Sequence, residues 1–417
     1  MTLSPTERRV VEAVDVDAIV ADLAALVAFP SVGGSAGEIA VQRWCAERLA
    51  ALGAEVDLWA IDLPALRGSP GYPGEEVVRD EALGCVGTFG GSAPALILAG
   101  HTDVVPPGDL GAWTSDPWHL REEGGLLYGR GACDMKGGLA AALGAISALR
   151  VTGVRLQRSL AVHCVVGEED GGIGAYATLQ RGHGGDACVI AEPSDATVVA
   201  ANAGSLTFRI EVPGRAAHGS TRTEGVSAID AAGPVLAALR DLERRRNRDA
   251  DPSLAHLEIA HPLSIGVIRA GDWASTVPDL LVAEGRYGVR IGEPVERART
   301  EFESTVAAAC DRDPWLSSHP ARVSWPGGVF ASGRLPDGHR LLDDVRSACT
   351  DAAQWRPETR GAPSGSDLRL YAAAGIPTVL LGPGDLATAH AADEHVALAD
   401  LLDCARAYAL LALRYCG

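Results

Sequence analysis

The sequence has no stretch approaching the roughly 18 uninterrupted apolar residues of a membrane-spanning helix. Its first residues, "MTLSPTERRVVEAVDVDAIVADLAALVAFPSV", mix acids into a helical apolar pattern and lack the apolar core of a signal peptide. A soluble, cytoplasmic protein is expected. Positive charge is scarce: 36 Lys and Arg stand against 54 Asp and Glu, a formal charge of -18. Such a field repels nucleic acid and anionic membrane surfaces. Paired cysteines are missing too. Nine stand singly, at 45, 85, 133, 164, 188, 310, 349, 404 and 416, without CxxC or framework spacing, so reduced, buried thiols are expected rather than disulfides. Cys133, beside an acidic loop, is the exception to watch. Internal repeats and low-complexity linkers are absent.

What remains is globular composition, with 47% hydrophobic and 22% charged residues in 417, a length that suggests two domains. Short apolar runs alternate with helical segments over the first two hundred residues, which predicts an α/β domain with a parallel or mixed sheet and crossover helices. Strands are expected at "ALILAG" (95–100), "SLAVHCVVG" (159–167) and "ACVIAE" (187–192), and helices over residues 38–52 and 137–150. From residue 204 the texture changes. "SLTFRIEVPG" alternates apolar and polar residues like a half-exposed antiparallel strand, a long helix follows, and strands at 263–271 and 280–291 precede another helix. After residue 329 the first pattern resumes and ends in "IPTVLLGPG". The simplest organisation is one domain, 1–203 and 329–417, interrupted by an inserted α+β module, 204–328.

In open α/β sheets, sites gather beyond the carboxyl ends of the strands. Here "ALILAG" runs into His101 and Asp103, "VVG" into Glu168 and Glu169, "ACVIA" into Glu192, and "TVLLGPGDLATA" into His390, while Asp134 lies in the glycine-bounded loop "YGRGACDMKGG". Singly, each is most often a turn residue, a helix cap or a solvated face. Their recurrence at the ends of separate buried strands points to a shared cation, because burying those anions together without one is very costly. Mixed imidazole and carboxylate donors suit zinc, with cobalt or manganese as alternatives. A bridging carboxylate would allow two ions about 3.5–4 Å apart. Asp103, two residues past His101, has the spacing to accept the distal imidazole N–H.

In order and spacing, "GHTDVVPPGD", "YGRGACDMKGGLAA", "VVGEEDGGIGA", "IAEPS", "VPGRAAHGS" and "GPGDLATAHAADEHV" resemble the motifs of the di-zinc aminoacylase and M20 metallopeptidase family. That family includes acetylornithine deacetylase, succinyl-diaminopimelate desuccinylase, aminoacylase 1 and carboxypeptidase G. The resemblance implies a zinc-peptidase-like catalytic domain with an inserted ferredoxin-like lid and dimerisation domain. It also implies two Zn2+ per subunit, with Co2+ or Mn2+ as substitutes. His101, Asp134 and Glu192 would hold one ion; Asp134, Glu169 and His390 would hold the other, Asp134 bridging. Glu168 matches the general base, Asp103 the acid that orients His101, and Asp134-Met135 a cis peptide. His218 matches a histidine that reaches across a homodimer to the neighbouring active site. His395 competes with His390, and the family motif favours the earlier residue.

Arg369 and Arg290 match arginines that bind a substrate carboxylate, since a guanidinium can grip a carboxylate through two parallel hydrogen bonds. Ser275 stands where relatives usually carry Asn near the substrate, and Gly288 where they often carry an acid. The implied activity is metal-assisted amide hydrolysis. The first substrate class is an N-acyl amino acid or related small amide, and the alternative is a dipeptidase or carboxypeptidase. A metal-binding pseudoenzyme is the non-enzymatic reading, and the intact Glu168 speaks against it.

Overall fold

A computed structural model describes residues 3–91 and 93–417. Two compact units are present. One comprises residues through Ala201, Arg334–Arg360 and Ser366–Gly417; the other comprises Asn202–Gly333 and Gly361–Gly365. The return to the first unit therefore comes later than residue 329 and is interrupted. Val329–Phe330 pairs with Leu206 and Ser205, and the Ala203 N–H donates to the Ala362 carbonyl at 2.8 Å, so backbone pairing holds both stretches in the second unit.

The first unit is built on a mixed sheet. Its strands run in the order Glu55–Ala60, Leu83–Phe89, Ser159–Val165, Pro94–His101, Cys188–Ile190, Thr378–Leu380 and Val198–Asn202. The four from Ser159–Val165 to Thr378–Leu380 are mutually parallel, and the flanking strands are antiparallel. Every residue of Ser159–Val165 is buried, as expected of a parallel strand covered on both faces. Helix Gly137–Val151 packs against both Val16–Val27 and Leu398–Cys416. Because the four central strands share a direction, their carboxyl ends open on one edge, where His101, Glu168, Glu169, Glu192 and His390 follow.

Helix Gly137–Val151 presses unusually close to that edge. A Cβ on Gly138 would lie 1.9 Å from the Ala191 carbonyl oxygen, next to Glu192. Gly138→Ala is therefore expected to destabilise the fold by about 1–3 kcal/mol through overpacking, although alanine is the better helix former; the urea midpoint reports it. The segment Ala132–Val151 is long and apolar enough to cross a membrane by length and composition, which the sequence reading did not register. It is 94% buried inside the fold and serves as the core helix. At its start sits Lys136, the only lysine in the sequence. The side chain is fully buried, its Nζ donates to the Phe29 carbonyl at 2.9 Å, and burial pushes its pKa down to about 7.

The second unit follows the order strand Gly204–Pro213, helix Ala228–Arg246, strands Leu263–Ala270 and Leu280–Val289, helix Val295–Cys310, strand Arg322–Ser324. Its antiparallel sheet runs Leu263–Ala270, Leu280–Val289, Gly204–Pro213, Arg322–Ser324, which is the βαββαβ arrangement of ferredoxin-like domains. Burial alternates strictly along Gly204–Pro213. The inward residues, among them Phe208 and Ile210, pack with Val235, Leu239 and Phe302 from the two helices.

Candidate active site

His101 ends its strand fully inside the protein. Its Nε2 lies 3.0 Å from Asp134 Oδ1 and 3.7 Å from Glu192 Oε1. On the far side of the cluster, His390 Nε2 lies 3.1 Å from Glu169 Oε2 and 3.5 Å from Asp134 Oδ2. Asp134 thus stands between the two imidazoles. Ligand atoms of His101, Asp134 and Glu169 lie within 4.8 Å of one another, as do those of His101, Glu168 and Glu192. The Asp134-Met135 peptide is cis. His395 is elsewhere: its strand, His395–Ala397, pairs with Leu126–Tyr128, and its ring lies 4.9 Å from that of Tyr128. Cys133 is buried, and burial first of all raises its thiol pKa, so it is an inert thiol.

The Gly167–Gly172 turn lets two adjacent glutamates serve one site. Gly167 adopts φ +67°, a left-handed conformation that glycine enters without strain, and the chain leaves strand geometry there. Asp103 then acts differently from expectation. His101 Nδ1 faces the main-chain carbonyl of Asp103 at 2.9 Å, with the carboxylate farther away at 3.7 Å. The carboxylate instead accepts the N–H groups of Glu168 and Glu169, at 3.3 and 3.2 Å. The Glu168 donor is buried and would otherwise be orphaned.

Glu394, which the sequence reading passed over beside His395, does the same for the bridging loop. Its Oε1 accepts the N–H groups of Cys133 and Asp134, each at 3.0 Å, and its other oxygen pairs with Arg130. Asp367 was missed as well. It is buried, neither carboxylate oxygen has a hydrogen-bond partner among the described residues, and burial pushes its pKa up to about 6.

Arg369 differs from its expected role as an open grip for a substrate carboxylate. It is buried, and two of its N–H groups donate to the Ser366 and Gly171 carbonyls at 2.7 and 2.6 Å, tying down the glutamate-bearing turn. In the second unit Arg290 likewise donates to a main-chain oxygen, that of Arg246, at 3.3 and 3.1 Å. His218 and Ser275 come together there. The two chain segments bridge, with the Gly219 N–H donating to the Ser275 carbonyl at 2.6 Å. Both residues are exposed. Gly288 lies in strand Leu280–Val289, where a Cβ would lie 3.0 Å from the His261 backbone, a tight contact that a side chain could make only if that backbone gave by a few tenths of an ångström.

The electrostatics fit a divalent-ion site. Burial opposes charge on His101, but Glu192, Asp134 and Asp103 outweigh it and push its pKa up. Hydrogen bonds to Asp134 and Glu169 raise His390 to about 10. Burial raises Glu192, Glu169 and Glu168, the last also through neighbouring Asp367. Without metal, protons on the imidazoles balance the carboxylates. Ligation requires neutral imidazole and ionised carboxylate, so at pH 7 zinc binding is expected to release protons from His101 and His390, and from Glu169 and Glu192 to the extent that burial keeps them protonated. Calorimetry in buffers of different ionisation enthalpy measures them. The sign follows for stability: His390 stabilises the metal-free fold fully below pH 6.5, and that contribution disappears as pH rises through about 10.

A parallel-edge cluster of two imidazoles, a shared aspartate and buried glutamates defines a metal-dependent hydrolase with room for two ions. Residues 97–414 match the model of peptidase family M20/M25/M40, and the chain belongs to that family. An N-formyl-4-amino-5-aminomethyl-2-methylpyrimidine deformylase from Bacillus subtilis is 29% identical over 386 residues, covering 87% of this chain and 86% of that protein. A succinyl-diaminopimelate desuccinylase from Xylella fastidiosa is 35% identical over 330 residues, covering 75% and 81%. The fold is shared with the di-peptidase Dug1p of Saccharomyces cerevisiae, at a TM-score of 0.77, 15% identity and 99% coverage of each chain.

Proposed function

We propose that the protein is a deacylase that hydrolyses the amide of an N-acyl amine or N-acyl amino acid carrying a small acyl group. The observation that carries this reading is the placement of Glu168. It is buried in one cluster with His101 and Glu192, and its pKa is raised by burial and by Asp367. That is the setting of a carboxylate that takes up and returns a proton.

In this reading His101, Asp134 and Glu192 hold one divalent ion, zinc, cobalt or manganese, and Asp134, Glu169 and His390 hold a second. The ions supply Lewis acidity and an acidified water at neutral pH. Asp103 and Glu394 fix the backbones that present Glu168, Glu169 and Asp134. Glu168 accepts the water's proton and delivers it to the departing amine. His218 completes the site of a second copy. Its Nδ1 accepts the Ser220 N–H at 3.2 Å, which leaves the proton on Nε2, and an exposed Nε2–H is the donor an amide oxygen needs as it gains charge. The outer strand Leu263–Ala270, with Ile268 and Trp273 exposed nearby, supports homodimerisation through the second unit.

The names of the two sequence relatives support acyl removal from nitrogen. Arg369 and Arg290 turn donors towards backbone carbonyls, so this reading does not require a substrate carboxylate. The test is a panel of N-formyl, N-acetyl and N-succinyl amines and amino acids, set against dipeptides, on the zinc-, cobalt- and manganese-loaded protein. Turnover of acylated amines supports deacylation; turnover of dipeptides alone makes the protein a dipeptidase.

A further inference from the structure

The turn that carries Glu168 and Glu169 is held from outside the site by a group to which nothing above gives a role in the chemistry. Asp170 is buried, and its carboxylate accepts four N–H groups. Two come from Arg79, Nη1 and Nη2, both at 2.8 Å; the others are the main-chain groups of Val77 at 2.9 Å and Glu76 at 3.2 Å. The Arg79 side chain is itself completely buried, and on its other edge Glu38 accepts Nε and Nη2, both at 2.9 Å. Glu38 Oε2 also accepts the Gly34 N–H at 3.0 Å. One guanidinium thus joins the first turn of helix Ala36–Ala51 and the irregular segment 74–79 to the Gly167–Gly172 turn.

Space around the turn leaves no slack. A Cβ on Gly171 would lie 2.3 Å from the Gly74 carbonyl oxygen, and one on Gly167 would lie 3.1 Å from Arg79 Nη2. The Asp170 carbonyl accepts the Glu76 N–H at 3.1 Å, and Arg369 holds the Gly171 carbonyl from another direction. Two buried acids on one buried arginine are a poor stability device, since burying an ion pair loses about as much hydration as the attraction returns. Bidentate bonds on both edges of a planar group do fix its plane.

We propose that Asp170 is a positioning residue: through Arg79 and Glu38 it sets where the turn places the Glu168 and Glu169 carboxylates relative to the ion cluster. Asp170 belongs to neither group of candidate ligands, and its carboxylate is turned to Arg79 and the Val77 and Glu76 amides. The proposal rests on the two-ion reading above. Glu169, the preceding residue in the chain, is where its loss is felt first, and loosening such outer support typically costs 10–100-fold in metal affinity or activity.

The test compares Asp170→Asn with wild type in the full chain, using Co2+ as probe. Asparagine keeps the shape, but it removes the charge and turns an N–H towards groups that already donate. The expected result is a second-ion affinity about 10–100-fold weaker, a changed visible absorption of the cobalt-loaded protein, and a kcat lower by a similar factor with KM nearly unchanged. Glu38→Gln, which loosens Arg79 without touching the turn, is expected to shift the same spectrum in the same direction by less. It carries the test if Asp170→Asn does not fold. A folded variant with wild-type cobalt affinity and spectrum overturns the proposal. If wild-type protein binds two Co2+ but hydrolyses nothing in the panel, the functional reading fails while the cobalt comparison still decides the role of Asp170. If wild type binds no Co2+, both fail.

Discussion

Glu168→Gln is expected to lower kcat by about 10²- to 10⁴-fold, the range that a positioned proton carrier contributes, and to leave two divalent ions bound. Glutamine keeps the shape and still lets Asp103 accept the main-chain N–H of residue 168, so the turn remains in place. What disappears is a carboxylate that burial and Asp367 hold above its ordinary pKa. Steady-state rates on the best substrate of the panel, with metal content measured on the same sample, give the answer. A variant that binds both ions and turns over at the wild-type rate would remove Glu168 from the chemistry and return the protein to a metal-binding role without catalysis.

Asp134→Asn attacks the site from its centre and is expected to abolish measurable turnover. Asp134 approaches both imidazoles, at 3.0 Å from His101 and 3.5 Å from His390, so both ions lose a shared anionic donor at once. An outer-shell change typically costs 10–100-fold in metal affinity, and losing a donor common to two ions is expected to exceed about 100-fold. Inductively coupled plasma analysis after dialysis should find the variant without its pair of ions. A second readout needs no metal. The His390 pKa, about 10 when Asp134 and Glu169 both accept from it, should fall towards 6.5 in an NMR titration of the metal-free variant. Full metal content in Asp134→Asn would show that the two ions do not share this residue.

The layout of the site was legible because buried parallel strands announce themselves as short apolar runs, and most of the chemistry lies at their ends or within a few residues past them. His101 ends Pro94–His101, and Glu192 follows Cys188–Ile190 by two positions. The supporting contacts were not legible, for a different physical reason. Arg79 lies in an irregular segment with no periodicity, and its partner Asp170 is 91 residues away. Glu394 reaches the amide of Asp134 across 260 residues. Spacing could place Asp103 near His101, but not decide which of its oxygens would meet the ring; that depended on the amides of Glu168 and Glu169. The direction of Arg369 was hidden likewise, because the Gly171 carbonyl competes for it only once the turn has formed.

The buried Lys136 changes how the whole surface presents itself to reactive acyl compounds. Because it is the only lysine in the sequence and its Nζ is enclosed against the Phe29 carbonyl, every other basic side chain that could meet an activated ester or anhydride is a guanidinium or an imidazole. A guanidinium stays protonated in proteins and offers no free electron pair. No side-chain amine is therefore displayed to be acylated. An amine-directed label would register Lys136 only in molecules that have opened, which makes this one side chain a built-in reporter of unfolding.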